Sequence, residues 1–257
     1  TKYSGISKPR LYGLKNYIRL LEDPYFWIAL KNTAIILGIS IVLLGIGSFF
    51  VAMLLNQPMR GTNVCKALIF APAIIASIIA GVIWGYLLDP VTGLVNNVLR
   101  AIGLDKLALE WIGGKTLSPY SIAFVYFWQQ AGYIAAIYLA GLKTIPNEMM
   151  EAALIDGAGY FRIWRSIMLP LTKNGLISAA ILAFISSWNE YLSALIFLPS
   201  KENYTVSLAI RYYLNDTARE YNLMMCAAAS TIIPVVILYI SAQKYFEDGI
   251  ASSSVKG

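Results

Sequence analysis

Glu151-Ala152-Ala153-Leu154-Ile155-Asp156-Gly157-Ala158-Gly159-Tyr160-Phe161-Arg162-Ile163-Trp164-Arg165-Ser166-Ile167-Met168-Leu169-Pro170 is a polar island in a chain otherwise made of long apolar runs. It carries two acids and two arginines, with Glu148 just ahead of it and a proline at its end. A bilayer crossing needs about 20 mostly apolar residues. Working outward from the island, five stretches qualify: 27–55, 64–88, 119–142, 175–198 and 222–242. Hydrophobic residues make up 58% of the chain and charged ones 13%, with mean hydropathy +0.63. Soluble domains carry about 25% charged residues. The chain therefore reads as an all-α polytopic membrane protein.

Five alternating crossings put the turn at 56–63, the island loop 143–174 and the tail 243–257 on one face. The arm 1–26 and the loops 89–118 and 199–221 fall on the other. Lys and Arg do not separate the faces, so the positive-inside rule does not fix orientation. The loop 89–118 contains a short amphipathic stretch, 94–102, with Asn96, Asn97 and Arg100 on its polar side. Cys65 and Cys226 fall at span ends on opposite faces, which argues against a disulfide and for two small buried hydrophobes. Gly45, Gly47, Gly81 and Trp84 read as close-packing points.

Within the island, Pro146-Asn147 reads as a helix start, with Asn147 as N-cap and Glu148 and Glu151 in the first turn, where the helix dipole favours acids. Met149, Met150, Ala153 and Leu154 form an apolar face. Gly157 and Gly159 permit a sharp turn into a second helix over 161–168, closed by Pro170. The alternative is an amphipathic loop lying on lipid or on its own bundle.

Several chemistries are excluded. There is no histidine among the 257 residues, so neither a Ser–His dyad nor a His-bound metal can be built. One carboxylate inside a span, Glu190, cannot make an aspartyl pair. Gly113-Gly114-Lys115-Thr116 lacks the earlier glycine of a phosphate-binding loop, because Leu109 stands there. The net charge of +6 is spread over all loops rather than clustered, which argues against nucleic acid and for contact with membrane lipid. No internal repeat supports a secondary transporter.

The spacing Glu151-Ala152-Ala153, three residues, Gly157, nine residues, Ile167-Met168-Leu169-Pro170 resembles the signature loop of the membrane permeases of binding-protein-dependent ABC importers. The fuller form with Asp156 resembles the carbohydrate-uptake, maltose-type branch. Gly13-Leu14, Asn16-Tyr17, Asp23-Pro24, Gly81-Val82-Ile83-Trp84 and Leu88-Asp89-Pro90 are similar to one permease subtype. Trp188-Asn189-Glu190 and Gln243-Lys244-Tyr245-Phe246 are similar to the other. The resemblance implies a type I importer transmembrane domain over 27–257, with five visible spans of six, one preceding Thr1. It implies a bacterial inner-membrane location, a cytoplasmic loop 143–174 and an extracytoplasmic arm 1–26. Implied partners are an ABC ATPase dimer, which would bind ATP and Mg, a second permease subunit, and an extracytoplasmic solute-binding protein. Cofactors of the chain's own are not implied.

By the same resemblance, Glu148, Glu151, Ala152, Ala153, Asp156, Gly157, Ile167, Leu169 and Pro170 would couple to the ATPase. Glu151 would meet a basic residue there. For the substrate pathway, a charge within hydrocarbon faces a cavity, pairs, or is protonated by default. Glu190 follows Trp188 and Asn189, and Trp128-Gln129-Gln130 with Tyr133 offers a second set. Stacking rings beside hydrogen-bonding groups suit a sugar. The resemblance selects Trp128, Tyr133, Ser187 and Glu190, with Trp188 and Asn189 beside them. Packing and helix–helix glue are the alternative for these residues. The implied function is uptake of a sugar or oligosaccharide, with a glycerol phosphate or another solute as the alternative.

Overall fold

The computed structural model describes residues 12–56, 61–114, 116–143, 145–214 and 220–254, and no strand occurs among them. Three helices are long and apolar enough to cross a membrane: Pro24–Asn56, Ser118–Leu142 and Tyr221–Gln243. Counted as one span each, two bent helix pairs bring the number to five. All five apolar stretches are thus largely helical, but two are broken.

Helix α1 (Lys15–Leu21) precedes the first span, which comprises α2 (Pro24–Val42), a π-helical turn at Leu43–Gly47, and α3 (Ser48–Asn56). Gly47 lies under the ring of Phe127, where an added Cβ would stand 2.8 Å from ring carbons. Gly45 faces open space, so it is not the packing point expected of it.

The sequence predicts one span over 64–88. Instead α4 (Thr62–Ile74) and α5 (Ser77–Leu87) meet at 102°. Pro72, in the last turn of α4, has no N–H and crowds the carbonyl four residues back. Ile75 and Ala76 then turn extended, with ψ 129° and 136°. Cys65 is exposed on α4 while Cys226 is buried, so the expectation of two buried thiols holds for one.

α6 (Leu94–Ala101) fills the amphipathic stretch of the next loop. Asn96, expected on its polar surface, is buried. Its Nδ2 donates to the carbonyls of Pro90 (3.0 Å) and Leu109 (2.8 Å), and its Oδ1 accepts from the Trp111 indole (2.7 Å). An amide placed among loop carbonyls satisfies groups that water cannot reach. α7 (Ser118–Leu142) is the third span.

The island forms α8 (Asn147–Ile155), α9 (Tyr160–Ile163), a π-helical turn at Trp164–Met168 and α10 (Leu169–Leu171). α11 (Lys173–Trp188), α12 (Leu192–Phe197) and α13 (Val206–Tyr212) follow. α14 (Tyr221–Ser254) contains Pro234 and continues as helix where a tail was expected.

The chain divides into two compact units. The first holds the described residues up to Ile39, Ala76–Tyr126 and Ile185–Ile237; the second holds Ser40–Ile75, Phe127–Phe184 and the described residues from Leu238 on. Each apolar stretch contributes to both. Loops 89–118 and 199–221 fall in the first unit and the island in the second. The first unit's core joins Ile36, Leu88, Ile122, Val125, Phe197 and Leu208. Gly81 packs there against Ile196, where a Cβ would stand 2.5 Å from the side chain. In the second unit, Phe49 meets Tyr138 edge-on with ring centroids 5.6 Å apart, and Trp164 at 6.3 Å.

Candidate functional site

The island's first helix begins one residue earlier than expected. Pro146, at φ −60° and ψ 134°, takes the cap position, and Asn147 is already helical. Glu148, Glu151, Ala152 and Asp156 are exposed, and so are three large apolar side chains: Met149, Leu154 and Ile155, the last 86% exposed. A helix that buries so little of itself is held by its ends.

The C-terminal end is a Schellman turn. Ala158 N–H donates to the Ala153 carbonyl (2.9 Å) and Gly157 N–H to the Leu154 carbonyl (3.0 Å), with Gly157 left-handed at φ +76°. A Cβ at Gly157 would meet nothing, so the glycine is required by its backbone angle and not by space. Gly159 has no such angle, so the turn needs one glycine and not two.

Pro170 does not end the second island helix. The helical path runs from Tyr160 through Leu171, with the π-helical turn directly ahead of the proline. A proline ring denies the carbonyl four residues earlier its usual donor, and a π turn is one way a helix absorbs that loss. The bend comes later: Trp164–Leu171 and Leu176–Trp188 meet at 67°, and the Thr172 hydroxyl donates to the Met168 carbonyl (2.7 Å) beside it. Ile163 and Met168 are buried, and Trp164 lies against Phe49, so this helix is anchored where α8 is not. Ala153, Asp156, Arg162, Ser166 and Ile167 line a cleft of about 230 Å³ across the turn. The structure thus brings Ala153, Asp156 and Ile167 together. Glu148 and Glu151 stand on the free helix, Leu169 is partly buried and Pro170 is exposed.

The fourth apolar stretch, expected as one span over 175–198, breaks between α11 and α12. Glu190 lies in that break, not inside a spanning helix. Its Oε1 accepts from the Ser193 N–H (2.8 Å), supporting the start of α12. Asn189 is exposed and donates to the Ile185 carbonyl (2.7 Å). Trp188 is buried, its indole donating to the Thr231 carbonyl (3.0 Å), and its carbonyl accepts from the Ser207 hydroxyl (2.9 Å). The Ser187 hydroxyl is buried without a hydrogen bond. Nearby, the sequence reading missed Tyr126. Its buried hydroxyl makes no close hydrogen bond and faces Ser186 and Glu190. The available signal was its place on α7 two turns before Tyr133, a spacing that repeats one helix face.

Trp128 and Tyr133 belong to the other unit, half-buried and 52% exposed respectively. Between them Gln129 is buried, and its Nε2 donates to the Ile75 carbonyl at 2.8 Å. Gln129 is therefore the partner of the break in the second span. One turn on, Gly132 lies directly against the Ile69 carbonyl. Such close backbone approach at small residues is the usual mode of helix packing in membranes.

Outside the spans, the first unit is tied by polar contacts. Tyr213 donates its phenol O–H to Asp23 Oδ2 (2.7 Å); burial and then Asp23 raise the phenol's pKa above its ordinary value. Lys201 sits 4.2 Å from the Tyr25 ring centroid and 5.6 Å from that of Tyr212, and hydrogen bonding to Tyr25 raises its pKa. Arg19 and Glu220 pair at 2.7 Å, the one ion pair among the described residues. No cluster of three or more His, Cys, Asp or Glu side chains that could hold a metal occurs among the described residues.

Apolar spans, two of them broken around buried polar groups, with an exposed helix between the third and the fourth, are the build of a membrane transport subunit. The chain belongs to the family described as binding-protein-dependent transport system inner membrane component, whose model matches residues 31–252. It is an integral inner-membrane protein. It is 30% identical to the probable ABC transporter permease protein YurN of Bacillus subtilis, over 96% of this chain and 87% of that one. It is 29% identical to the diacetylchitobiose uptake system permease protein NgcF of Streptomyces coelicolor, over 94% of this chain and 72% of that one. Among solved structures it shares the fold of a chain of a bacterial ABC transporter involved in the import of the acidic polysaccharide alginate. There the TM-score is 0.80 at 21% identity, covering 93% of this chain and 85% of that one.

Proposed function

We propose that this chain is a permease subunit of an ATP-driven importer that takes up a sugar or oligosaccharide handed over by a solute-binding protein. Loop 143–174 is its cytoplasmic contact with the ATPase, and the arm 1–26 lies on the opposite side. The observation that carries the coupling role is the contrast between α8, exposed and held at a Schellman turn, and the helical stretch after it, anchored on Phe49. An exposed rigid helix can seat in a groove of another subunit, and the anchored one passes its displacement to the first and third spans. Glu148, Glu151, Ala152, Ala153, Asp156 and Gly157 form or shape the contact surface. Ile167, Leu169 and Pro170 belong to the anchored side.

The sugar assignment is supported by the relative NgcF, a permease of diacetylchitobiose uptake. In this chain the buried hydroxyls of Ser187 and Tyr126 and the Glu190 carboxylate offer donors and acceptors of the kind sugar hydroxyls engage. Trp128, Tyr133, Trp188 and Asn189 are the further pathway positions. A second permease subunit completes the path.

The test is reconstitution. The chain, co-expressed with its ATPase and a second permease where its operon supplies one, is placed in proteoliposomes with the solute-binding protein. ATP hydrolysis should rise, and labelled oligosaccharide accumulate, only when the loaded binding protein is present. Uptake by the lone chain without ATP would overturn the reading.

A further inference from the structure

Trp84, Leu88, Val95, Trp111, Tyr120 and Phe124 line a concavity of about 520 Å³ within the first unit, between α5, α6 and the start of α7. Its back wall is fixed by hydrogen bonds. Asn96 holds the Trp111 indole and the Leu109 and Pro90 carbonyls, and the Ser121 hydroxyl, also in the lining, donates to the Trp111 carbonyl (2.6 Å). The wall therefore cannot collapse to fill the space. Trp84 stands edge-on to Phe124, with centroids 5.5 Å apart at 88°. For scale, an apolar cavity of about 150 Å³ already stays dry and admits benzene. A half-open space more than three times that size, walled almost wholly by hydrocarbon and aromatic rings, suits an apolar occupant better than water.

Position decides the occupant. Leu88 is at the end of one span, and Ser118 begins the next. From Ser118 to Phe124 the helix advances about 9 Å, at 1.5 Å per residue. The concavity thus runs from the membrane interface into the outermost hydrocarbon. α6 has the character of an interfacial helix, whose apolar face enters the acyl boundary by about 5–10 Å. Leu94, Val98 and, just past its end, Ile102 are 59%, 49% and 63% exposed, while Arg100 is held to the Pro90 carbonyl at 3.2 Å. Trp84, Tyr86, Trp111 and Tyr120 supply the aromatic belt found at this depth. At that depth the only abundant apolar medium is lipid chain.

We propose that this concavity binds one acyl chain of a membrane phospholipid, which wedges between α6 and α7 as a structural ligand of loop 89–118. The site is independent of the substrate and rests only on the chain's place in the membrane.

The experiment uses the assembled transporter in bilayer nanodiscs containing phosphatidylethanolamine brominated on its acyl chains. Single-tryptophan forms retain either Trp111 or, as a bilayer-facing control, Trp27, which is 51% exposed. The expected result is strong quenching of Trp111 that is weakened in Val95→Phe, which adds a ring to the lining and narrows the concavity, while quenching of Trp27 is unchanged. A second readout covers the case in which the Val95→Phe variant folds poorly. Native mass spectrometry of the unaltered complex should show a retained phospholipid that resists detergent exchange. Trp111 quenching as strong in a folded Val95→Phe complex as in the parent overturns the proposal. So does quenching seen in the isolated chain but abolished on assembly, which would assign the concavity to a partner subunit.

Discussion

Gln129 on α7 donates from Nε2 to the carbonyl of Ile75, 2.8 Å away, at the point where the second span breaks. The 102° bend leaves that carbonyl without a helical donor, and in hydrocarbon no water supplies one. One side chain therefore makes the bend tolerable. Gln129→Leu, similar in size, should leave the carbonyl unsatisfied and cost about 1–2 kcal/mol, the range for interhelical hydrogen bonds in membranes and for orphaned buried groups. The measurement is thermal unfolding of the purified subunit in detergent, with Gln129→Asn as a shorter donor for comparison. A Leu variant as stable as the parent would show that the break is satisfied otherwise.

Gly157 at φ +76° closes the Schellman turn with open space around its α-carbon. Gly157→Ala should therefore cost about 1 kcal/mol through backbone angle alone, and Gly157→Asn less, because asparagine tolerates the left-handed region. Gly157→Val should be worst. In reconstituted transporter the order Gly, Asn, Ala, Val should appear as a falling ratio of solute moved to ATP hydrolysed. Equal ratios across the series would show that the turn's geometry does not carry coupling.

Glu151 is exposed on α8 and makes no ion pair within this chain among the described residues. Reversing it with Glu151→Lys should leave the subunit's own stability within about 0.5 kcal/mol, as surface changes do. Co-purification with the ATPase and uptake should both fall sharply. Intact binding and uptake would remove Glu151 from the contact.

The same contrast explains what the sequence made legible. Apolar length marked the five stretches, because the hydrocarbon thickness sets that length whatever the tertiary structure. The two breaks were not legible. Pro72 is tolerated inside many membrane helices, and only the presence of Gln129 on another span lets Ile75 and Ala76 turn extended. Nor was the place of Glu190, since the fifteen apolar-biased residues from 175 to 189 read as continuous helix while the Ser193 N–H captures its carboxylate in a break. Asn96 looked like surface on α6 because periodicity cannot show that Pro90, Leu109 and Trp111 converge on it. The island was the reverse case. Local chemistry, a glycine after a short acidic helix, fixed the turn by itself, while Pro170 misled because a π turn absorbs it.

Asp89 organises the entry to α6. Its Oδ1 accepts from the N–H groups of Val91 (2.9 Å) and Thr92 (2.7 Å) and from the Thr92 hydroxyl. The Thr92 amide first, then the Thr92 hydroxyl and the Val91 amide, lower its pKa below the ordinary carboxylate value of 3.8. A group whose pKa is depressed on folding stabilises above its unfolded value and loses that contribution as pH falls through the folded one. Relative to their intrinsic rates, the Val91 and Thr92 amides should thus be protected at neutral pH and lose protection only below about pH 4, the ordinary Asp range. Asp89→Asn should remove most of that pH dependence. Hydrogen exchange followed by mass spectrometry reads both, and a flat profile in the parent would sink the assignment.

Tyr126 and Glu190 give the sharpest test of the substrate path, because their two readings separate. Glu190 has a structural task, the Ser193 cap, that Gln can largely keep through its side-chain oxygen. The Tyr126 hydroxyl has no close hydrogen bond to lose, and an unpaired buried hydroxyl weakens a folded protein. Tyr126→Phe should therefore leave stability unchanged or slightly raised. If the hydroxyl meets a solute hydroxyl during passage, the same change should raise KM for transport several-fold, consistent with about 0.5–1.5 kcal/mol for one neutral hydrogen bond. Glu190→Gln should shift KM with little loss of stability, whereas Glu190→Ala should lower both. Transport kinetics across a panel of oligosaccharides, read beside melting curves, distinguish the cases. Unchanged KM in Tyr126→Phe and Glu190→Gln would confine both residues to holding α7, α11 and α12 together.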